Sequence, residues 1–478
     1  MFDSIHEECG VFGIYSKPDS DVAEQVYLAL YALQHRGQES CGIAVGDQGV
    51  IRYYRDLGLV PDVFNPTVLA TRLGTGNMAI GHCRYSTTGQ QSRSNAQPLV
   101  VRHVKGQMAL AHNGNLTNAD QLRHDLEYQG SIFHSTNDTE VISYIITRAR
   151  LHTPSIEAAV EDAMNTIKGA YSMVVLSPSK LIAARDPNGF RPLCMGELDG
   201  DIIFASETCA LDSLGAHFIR DLDPGEIVVV SKDGVRSIRT HCDKVPSTLC
   251  IFEFVYTARP DSVIEGASVH AARLQAGASL FREEPVDADV VIGAPDSGLD
   301  AALGYSRASG IPYGVGFIKN RYVGRTFIQP TQSQRETSVK IKLNAVADTV
   351  RDKRVILIDD SIVRGTTMAR IVGLLREAGA KEVHVRISAP PFLHPCYFGT
   401  DIDSEDKLIA HRMTIPEIAA EIGADSLAYI SVEGVRGIAP NARCGFCDAC
   451  FTGNYPIPVP GGKAKNQFEH KIGEKNDD

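Results

Sequence analysis

The chain of 478 residues contains no stretch approaching the ~18 uninterrupted apolar residues of a membrane-crossing helix. Nor does it begin as an exported chain does: MFDSIHEECG carries Asp3, Glu7 and Glu8 where a secretory signal would be basic and then apolar. A cytoplasmic location with no membrane partner is therefore expected. Positive charge is short. With 47 Lys and Arg against 58 Asp and Glu the net charge is −11, which disfavours nucleic-acid binding outside a local basic patch. Tryptophan is absent, which excludes no fold, and there is neither an internal repeat nor a low-complexity block. A hydrophobic content of 43% is ample for sizeable cores, and the length allows about three domains or two large ones.

The 11 cysteines do not read as a disulfide framework, because their number is odd and they are scattered from Cys9 to Cys450. Cys444, Cys447 and Cys450 form a C-x2-C-x2-C run, whereas most others stand singly in apolar surroundings. A reducing compartment then leaves three roles for them: buried filler, metal ligand and nucleophile.

The first ~240 residues read as strands and helices that do not strictly alternate, which suggests sheets covered by helices. CGVFGIY (9–15), SCGIAV (40–45), MALAHNG (108–114), YSMVVLS (171–177) and DIIFAS (201–206) match the strand pattern. Residues 21–34 and 138–151 carry apolar side chains at helical spacing. Beyond a turn-rich stretch at 232–248 the character changes. DADVVIGAPDSG (287–298), VILIDDSIVRGTT (355–367) and KEVHVRISAPP (381–391) are near-continuous apolar runs ending in polar loops, as strands of a doubly covered parallel sheet do. TMARIVGLLREAG (367–379) follows as an amphipathic helix closed by Gly379, completing a βαβ unit. The tail from Gly461 has few apolar residues and is expected to be disordered at its end.

Cys9 precedes a strand and is followed by Gly10, which lets a substrate approach closely. Alone it reads more readily as core filler than as nucleophile. Neighbouring segments alter the balance. Arg84 follows an apolar strand and suits a two-pronged grip on a carboxylate. Asn113 and Gly114 offer a side-chain amide and a free-approach backbone N–H, the parts of an oxyanion hole. Asp138, in Asn137-Asp138-Thr139-Glu140, is either a first-turn helix acid or a carboxylate for a ligand ammonium. Together they describe a site for the amide of a free amino acid.

CGVFGIY, ALQHRGQESCGIAV, GHCRYSTTGQ, NAQPL, AHNGNLTN and NDTEV, in this order, resemble the class II glutamine amidotransferase domain. That resemblance implies an N-terminal nucleophile fold, a four-layer αββα sandwich that hydrolyses glutamine. It implies Cys9 as nucleophile, Asn113 with Gly114 as oxyanion hole, and Arg84 with Asp138 on the α-carboxylate and α-amino groups of glutamine. Eight residues precede Cys9, so the resemblance also implies a propeptide, 1–8, cleaved to free the α-amine as base.

In VILIDDSIVRGTT a buried strand ends at two adjacent acids and a polar loop leads into a helix, a cradle for phosphate beside carboxylates for hydroxyls or a hard cation. The segment resembles the 5-phosphoribosyl 1-diphosphate (PRPP) motif of type I phosphoribosyltransferases. Accordingly Ser361, Arg364, Gly365, Thr366 and Thr367 belong to a 5′-phosphate loop, Asp359 and Asp360 take the ribose hydroxyls and Mg2+, and Asp296 and Ser297 the pyrophosphate and metal. The basic, glycine-hinged stretch 319–328, with Lys319 and Arg321, is then expected to be a closing lid. A glutaminase followed by a phosphoribosyltransferase resembles the amidophosphoribosyltransferase family over about 9–456, with 9–240 and 241–460 as the two domains. The family passes ammonia internally to C1 of PRPP, and Tyr256 in FEFVYTARPDS would line that route.

On spacing alone the cysteine pairs suggest a metal, with zinc the simpler reading. The propeptide-bearing members of the family carry a structural [4Fe–4S] cluster, which the resemblance assigns to Cys250, Cys396, Cys447 and Cys450; Cys444 departs from the pattern. The resemblance further implies inhibition by purine nucleotides and a homo-oligomer, dimer or tetramer. Two rivals are weighed. An enzyme that aminates a sugar phosphate would share the first half but lack VILIDDSIVRGTT. A nucleotide-sensing binding protein would not need an intact nucleophile, oxyanion hole and acidic pair.

Overall fold

The computed structural model of the chain describes residues 9–85, 92–320, 343–400, 402 and 404–460. The expected propeptide, the tail from Gly461 and the lid from Arg321 onward lie outside the described residues.

Two antiparallel sheets form the first half. One has seven strands with Gly10–Ser20 and Gly76–Arg84 side by side at its centre; the other has six, with Gly106–Leu116 beside Gly169–Leu176. Strand alternation builds three apolar layers from them. Phe12 and Ile14 face outward into a core with Val22, Val26 and Leu30 of the helix Val22–Ala32, while Val11 faces inward to meet Ala109, Ala111 and Val174 between the sheets. On the far side Met108 and Leu110 pack under the helices Asp138–His152 and Ile156–Thr166. The order is helix, sheet, sheet, helix, an αββα sandwich.

Local chemistry sets the helix starts. The Asp21 side chain accepts from Glu24 N at 3.3 Å, and that of Asn137 from Glu140 N at 3.2 Å. Of the turn-rich stretch at 232–248, Gly234–Ile238 is itself the edge strand of the second sheet, paired with Ile227–Ser231. The chain leaves the sandwich after it and resumes in a short strand, Thr248–Cys250.

The second half centres on four parallel strands in the order Val290–Gly293, Arg354–Asp359, Glu382–Ile387 and Ser426–Tyr429. Both faces are covered, which explains the continuous apolar runs. Val355 and Leu357 point to the helix Thr366–Glu377, whereas Ile356 and Ile358 point to Val269–Glu283 and Gly298–Ser309. Ala170 and Phe190 of the sandwich join that latter core, so the halves share a continuous apolar contact.

The last two helices touch backbone to backbone. A Cβ at Gly277 would stand 1.8 Å from Ala301 O, and one at Gly304 2.0 Å from Leu274 O. Gly277→Ala should therefore force the pair apart and cost about 1–3 kcal/mol, read as a fall of several degrees in Tm. An unchanged Tm would mean that the helices do not approach this closely.

Candidate functional site

Cys9 sits at the head of a central strand, where Gly10 pairs with Cys83. The residue is 7% exposed, and its thiol donates to Tyr85 O at 3.4 Å. Burial pushes the thiol up to about 11, against the pull of the Tyr85 carbonyl hydrogen bond and the Arg84 charge. Asp138 and Glu39 push it the same way as burial. The side chains predicted for glutamine thus surround this sulfur electrostatically.

Asn113 and Gly114 lie on Gly106–Leu116 of the facing sheet. The side-chain nitrogen of Asn113 is buried and has no hydrogen-bond partner among the described residues, a loss of about 1–3 kcal/mol unless a ligand accepts from it. Gly114 has φ +135, and a Cβ there would stand 2.2 Å from Ala170 O, so only glycine fits. Arg84 holds Glu39 at 3.2 Å, with both side chains nearly buried. Asp138 accepts from Leu116 N at 2.9 Å and has His112 Nδ1 3.5 Å away. Burial raises its carboxyl, but the His112 charge and hydrogen bond win and leave it below the usual range. Glu39 and His112 therefore preorganise the two groups expected to grip glutamine. Their motif carried both residues, but no spacing rule disclosed the pairing.

In the second half the predicted groups gather at the carboxyl ends of the parallel strands, where such sheets bind ligands. Arg354–Asp359 ends at the acid pair. Ser297 and Ser361 donate to the two carboxylate oxygens of Asp360, and Asp360 N donates to Asp359 Oδ1 at 2.9 Å. Burial and the charge of Asp360 push the Asp359 carboxyl well up; burial raises Asp360, partly offset by the serines and Arg273. Lys319 Nζ meets Asp296 Oδ2 at 2.5 Å. After Arg364, Gly365 at φ +90 turns the chain into the helix Thr366–Glu377, so Thr366 and Thr367 present first-turn N–H groups suited to a phosphate. Two carboxylates and serine hydroxyls form a hard oxygen set that fits Mg2+, with remaining positions left for water and substrate oxygens. Arg321 lies outside the described residues.

Cys250 and Cys447 are register partners in a parallel pair of short strands. Together with Cys396 and Cys450 they line one cavity, walled by Phe190, Phe252, Phe392 and Phe398. Burial pushes Cys447 up to about 12 and Cys450 well above its ordinary value, with neighbouring thiols adding to the effect. Such thiols ionise readily only against positive charge. Cys444 is not in the cavity; beyond burial, its surroundings are Glu265, Arg185 and Asp221. Among the described residues no three His, Cys, Asp or Glu converge where a single ion could sit. A tetrahedral zinc needs its sulfurs about 2.3 Å from one point. A polynuclear iron–sulfur group, whose irons each take one thiolate, suits four cysteines lining one cavity.

Tyr256 lies half-buried on the turn Glu253–Thr257 and stacks on Phe252 at 5.6 Å. Arg273 holds this turn by donating to the carbonyls of Phe254, Tyr256 and Ala258 at 2.9, 2.8 and 2.7 Å. Sequence reasoning missed a buried ionic group beside it: Arg36, Arg191, Glu207 and Glu253. Charged residues in this composition gave no sign of being inside.

An antiparallel αββα sandwich headed by a buried cysteine, followed by a parallel sheet tipped with two acids, is the architecture of a glutamine amidotransferase joined to a phosphoribosyltransferase. The glutamine amidotransferase domain family matches residues 82–213, and the phosphoribosyl transferase domain family residues 270–391. The amidophosphoribosyltransferase of Archaeoglobus fulgidus is 50% identical over 95% of this chain and 99% of its own. That of Bacillus subtilis is 47% identical over 95% of each. The solved B. subtilis glutamine PRPP amidotransferase, complexed with ADP and GMP, superposes with a TM-score of 0.87 at 46% identity, covering 95% of this chain and 98% of the other. A second solved structure, an allosteric regulatory enzyme of purine biosynthesis, gives 0.90 at 44% identity, covering 98% and 100%. The chain belongs to the amidophosphoribosyltransferases, the enzymes of the first step of purine biosynthesis.

The acid pair generates a pH-dependent prediction. A carboxyl whose folded pKa is raised destabilises the fold as pH climbs from the unfolded value through the folded one. In divalent-free buffer Asp359→Asn should then raise Tm at pH 8 by a few degrees and leave it unchanged near pH 4, while abolishing synthesis. A lower Tm at pH 8 would contradict the stored repulsion.

Proposed function

We propose that residues 9–240 hydrolyse glutamine, that residues 241–460 attach the released ammonia to PRPP, and that residues 1–8 are a propeptide. The Cys9 sulfur attacks the amide carbon of glutamine, and the oxygen's developing charge takes hydrogen bonds from Asn113 and Gly114 N. Arg84 and Asp138 hold the α-carboxylate and α-amino ends. As the C–N bond breaks the thiol's proton passes to the leaving nitrogen, releasing ammonia, and water then cleaves the thioester to glutamate and the free thiol. A thiol pushed up to about 11 is a poor nucleophile at neutral pH. Removing 1–8 would put an α-amine, with a pKa near 8, next to it as the missing base. The orphaned Asn113 amide is the observation that carries the reading, since no partner among the described residues accounts for it.

Ammonia passes beside Tyr256 and its lone pair attacks C1 of PRPP, from which pyrophosphate departs with the bonding electrons. Asp359 and Asp360 orient the ribose, Ser361 to Thr367 the 5′-phosphate, and Asp296, Ser297, Lys319 and Arg321 the pyrophosphate. Mg2+, on Ser297, Asp359 and Asp360, would neutralise the departing charge. The four-cysteine cavity, with thiols that do not converge on one point, favours a structural [4Fe–4S] cluster on Cys250, Cys396, Cys447 and Cys450. The nucleotides bound in the B. subtilis structure support control by purine nucleotides here, in a cytoplasmic homo-oligomer.

Cys9→Ser should lose glutamine-dependent synthesis yet still make phosphoribosylamine from PRPP and concentrated ammonia at alkaline pH, while the mature parent's intact mass should begin at Cys9. A mutant that still uses glutamine at the parent rate would return Cys9 to the core. The anaerobically purified protein should contain about four irons per chain. Stoichiometric zinc without iron would refute the cluster.

A further inference from the structure

Arg36, Glu253 and Arg191 are wholly buried, and the chemistry above uses none of them. Arg36 Nε donates to the carbonyl of Cys9 at 3.0 Å. Its Nη1 meets Glu207 Oε1 at 2.5 Å, and its Nη2 takes both oxygens of Glu253 at 2.8 and 3.0 Å. From the other side Arg191 Nη1 reaches Glu253 Oε1 at 3.3 Å. Arg191 also clamps Phe398 O with Nε at 3.1 Å and Nη2 at 2.8 Å.

The loop thus clamped packs against the glutaminase site. Asn115 Nδ2 donates to Tyr397 O at 3.0 Å, and a Cβ on Gly399 would stand 3.3 Å from Gly114 Cα. Two chains of contact therefore leave one carboxylate. One runs through Arg36 to the backbone of the nucleophile residue; the other runs through Arg191 and Phe398 to the back of the oxyanion-hole strand. Glu253 itself opens the turn that carries Tyr256. Burying such a triad is a weak way to gain stability, since apolar replacements often do as well. Fixing several backbones at one point is what it does better.

We infer that Glu253 is a positioning residue of the glutaminase site, setting the relative placement of Cys9 and Gly114 from the turn that carries Tyr256. The inference rests on Cys9 being the nucleophile.

The test uses the full-length protein carrying Glu253→Gln or Glu253→Asp, the second keeping the charge but withdrawing it by one methylene. Glutamine hydrolysis is measured with PRPP and Mg2+ present, and ammonia-dependent synthesis is measured separately. In at least one variant kcat for hydrolysis should fall about tenfold or more, with KM for glutamine and ammonia-dependent synthesis each held within about threefold. Parallel loss of both activities in both variants would make Glu253 a general structural residue and overturn the inference, as would unchanged hydrolysis or an effect on KM alone. Cys9→Ala, assayed alongside, separates the two claims. If it still hydrolyses glutamine, the nucleophile assignment fails; if it does not and the Glu253 variants behave as the parent, only the positioning role fails.

Discussion

A guanidinium cannot stay charged in a protein interior without partners, and this constraint ties the molecule together. Arg36 and Arg191 have no solvent to fall back on, so their position is dictated by the carboxylates of Glu207 and Glu253. Glu207 opens a helix of the first half, and Glu253 belongs to the turn that follows the link between halves. Burial holds the Glu207 carboxyl up, but His35 and Arg36 overcome it and keep the group ionised far below the usual range. Each half completes the other's charge balance. Displacing one against the other would expose or orphan an ion, which costs several kcal/mol. The sandwich and the parallel sheet are thereby held in one register.

That register gives each reacting group a fixed neighbourhood. The thiol stands among Arg84, Asp138 and Glu39, and the acid pair stands where Ser297 and Ser361 already hold Asp360. Both places hold groups in an uncomfortable state: a buried thiol, an amide with no partner among the described residues and two adjacent carboxyls. On the proposed reading each discomfort would be relieved by a ligand of the corresponding chemistry, an amide carbonyl in one case and a cation or hydroxyl in the other. The turn Glu253–Thr257 lies between, held by Arg36 on one side and Arg273 on the other.

The fold was largely legible in the sequence because its signals are local. Alternation in CGVFGIY placed one residue toward each neighbouring layer, and the unbroken VILI run foretold a strand covered on both faces. Asn137 and Gly379 marked helix ends through chemistry confined to a few residues. The stretch at 232–248 was less clear, since a hairpin turn and an interdomain link use the same glycines, serines and lysines. What stayed hidden was pairing. Nothing in QHRGQES says that Arg36 will be wholly buried against Glu253, 217 positions away, or that Glu39 will answer Arg84. That Cys444 departs from the pattern was legible in the sequence, whereas the register pairing of Cys250 with Cys447 was not. Long-range charge compensation depends on the assembled core and leaves no period in the chain.

On the proposed reading the two sites work as one, with ammonia made at Cys9 used at Asp359 and Asp360 without leaving the protein. Isotope competition tests this most directly. The enzyme is given glutamine labelled with 15N at the amide, PRPP and Mg2+, in buffer holding excess unlabelled ammonium at neutral pH. The nitrogen of the phosphoribosylamine formed is then analysed by mass spectrometry after trapping. Internal transfer should give product carrying almost entirely 15N whatever the excess of unlabelled ammonium. Label diluted to the proportion in the bulk solution would show that ammonia escapes before it reacts, and would contradict it.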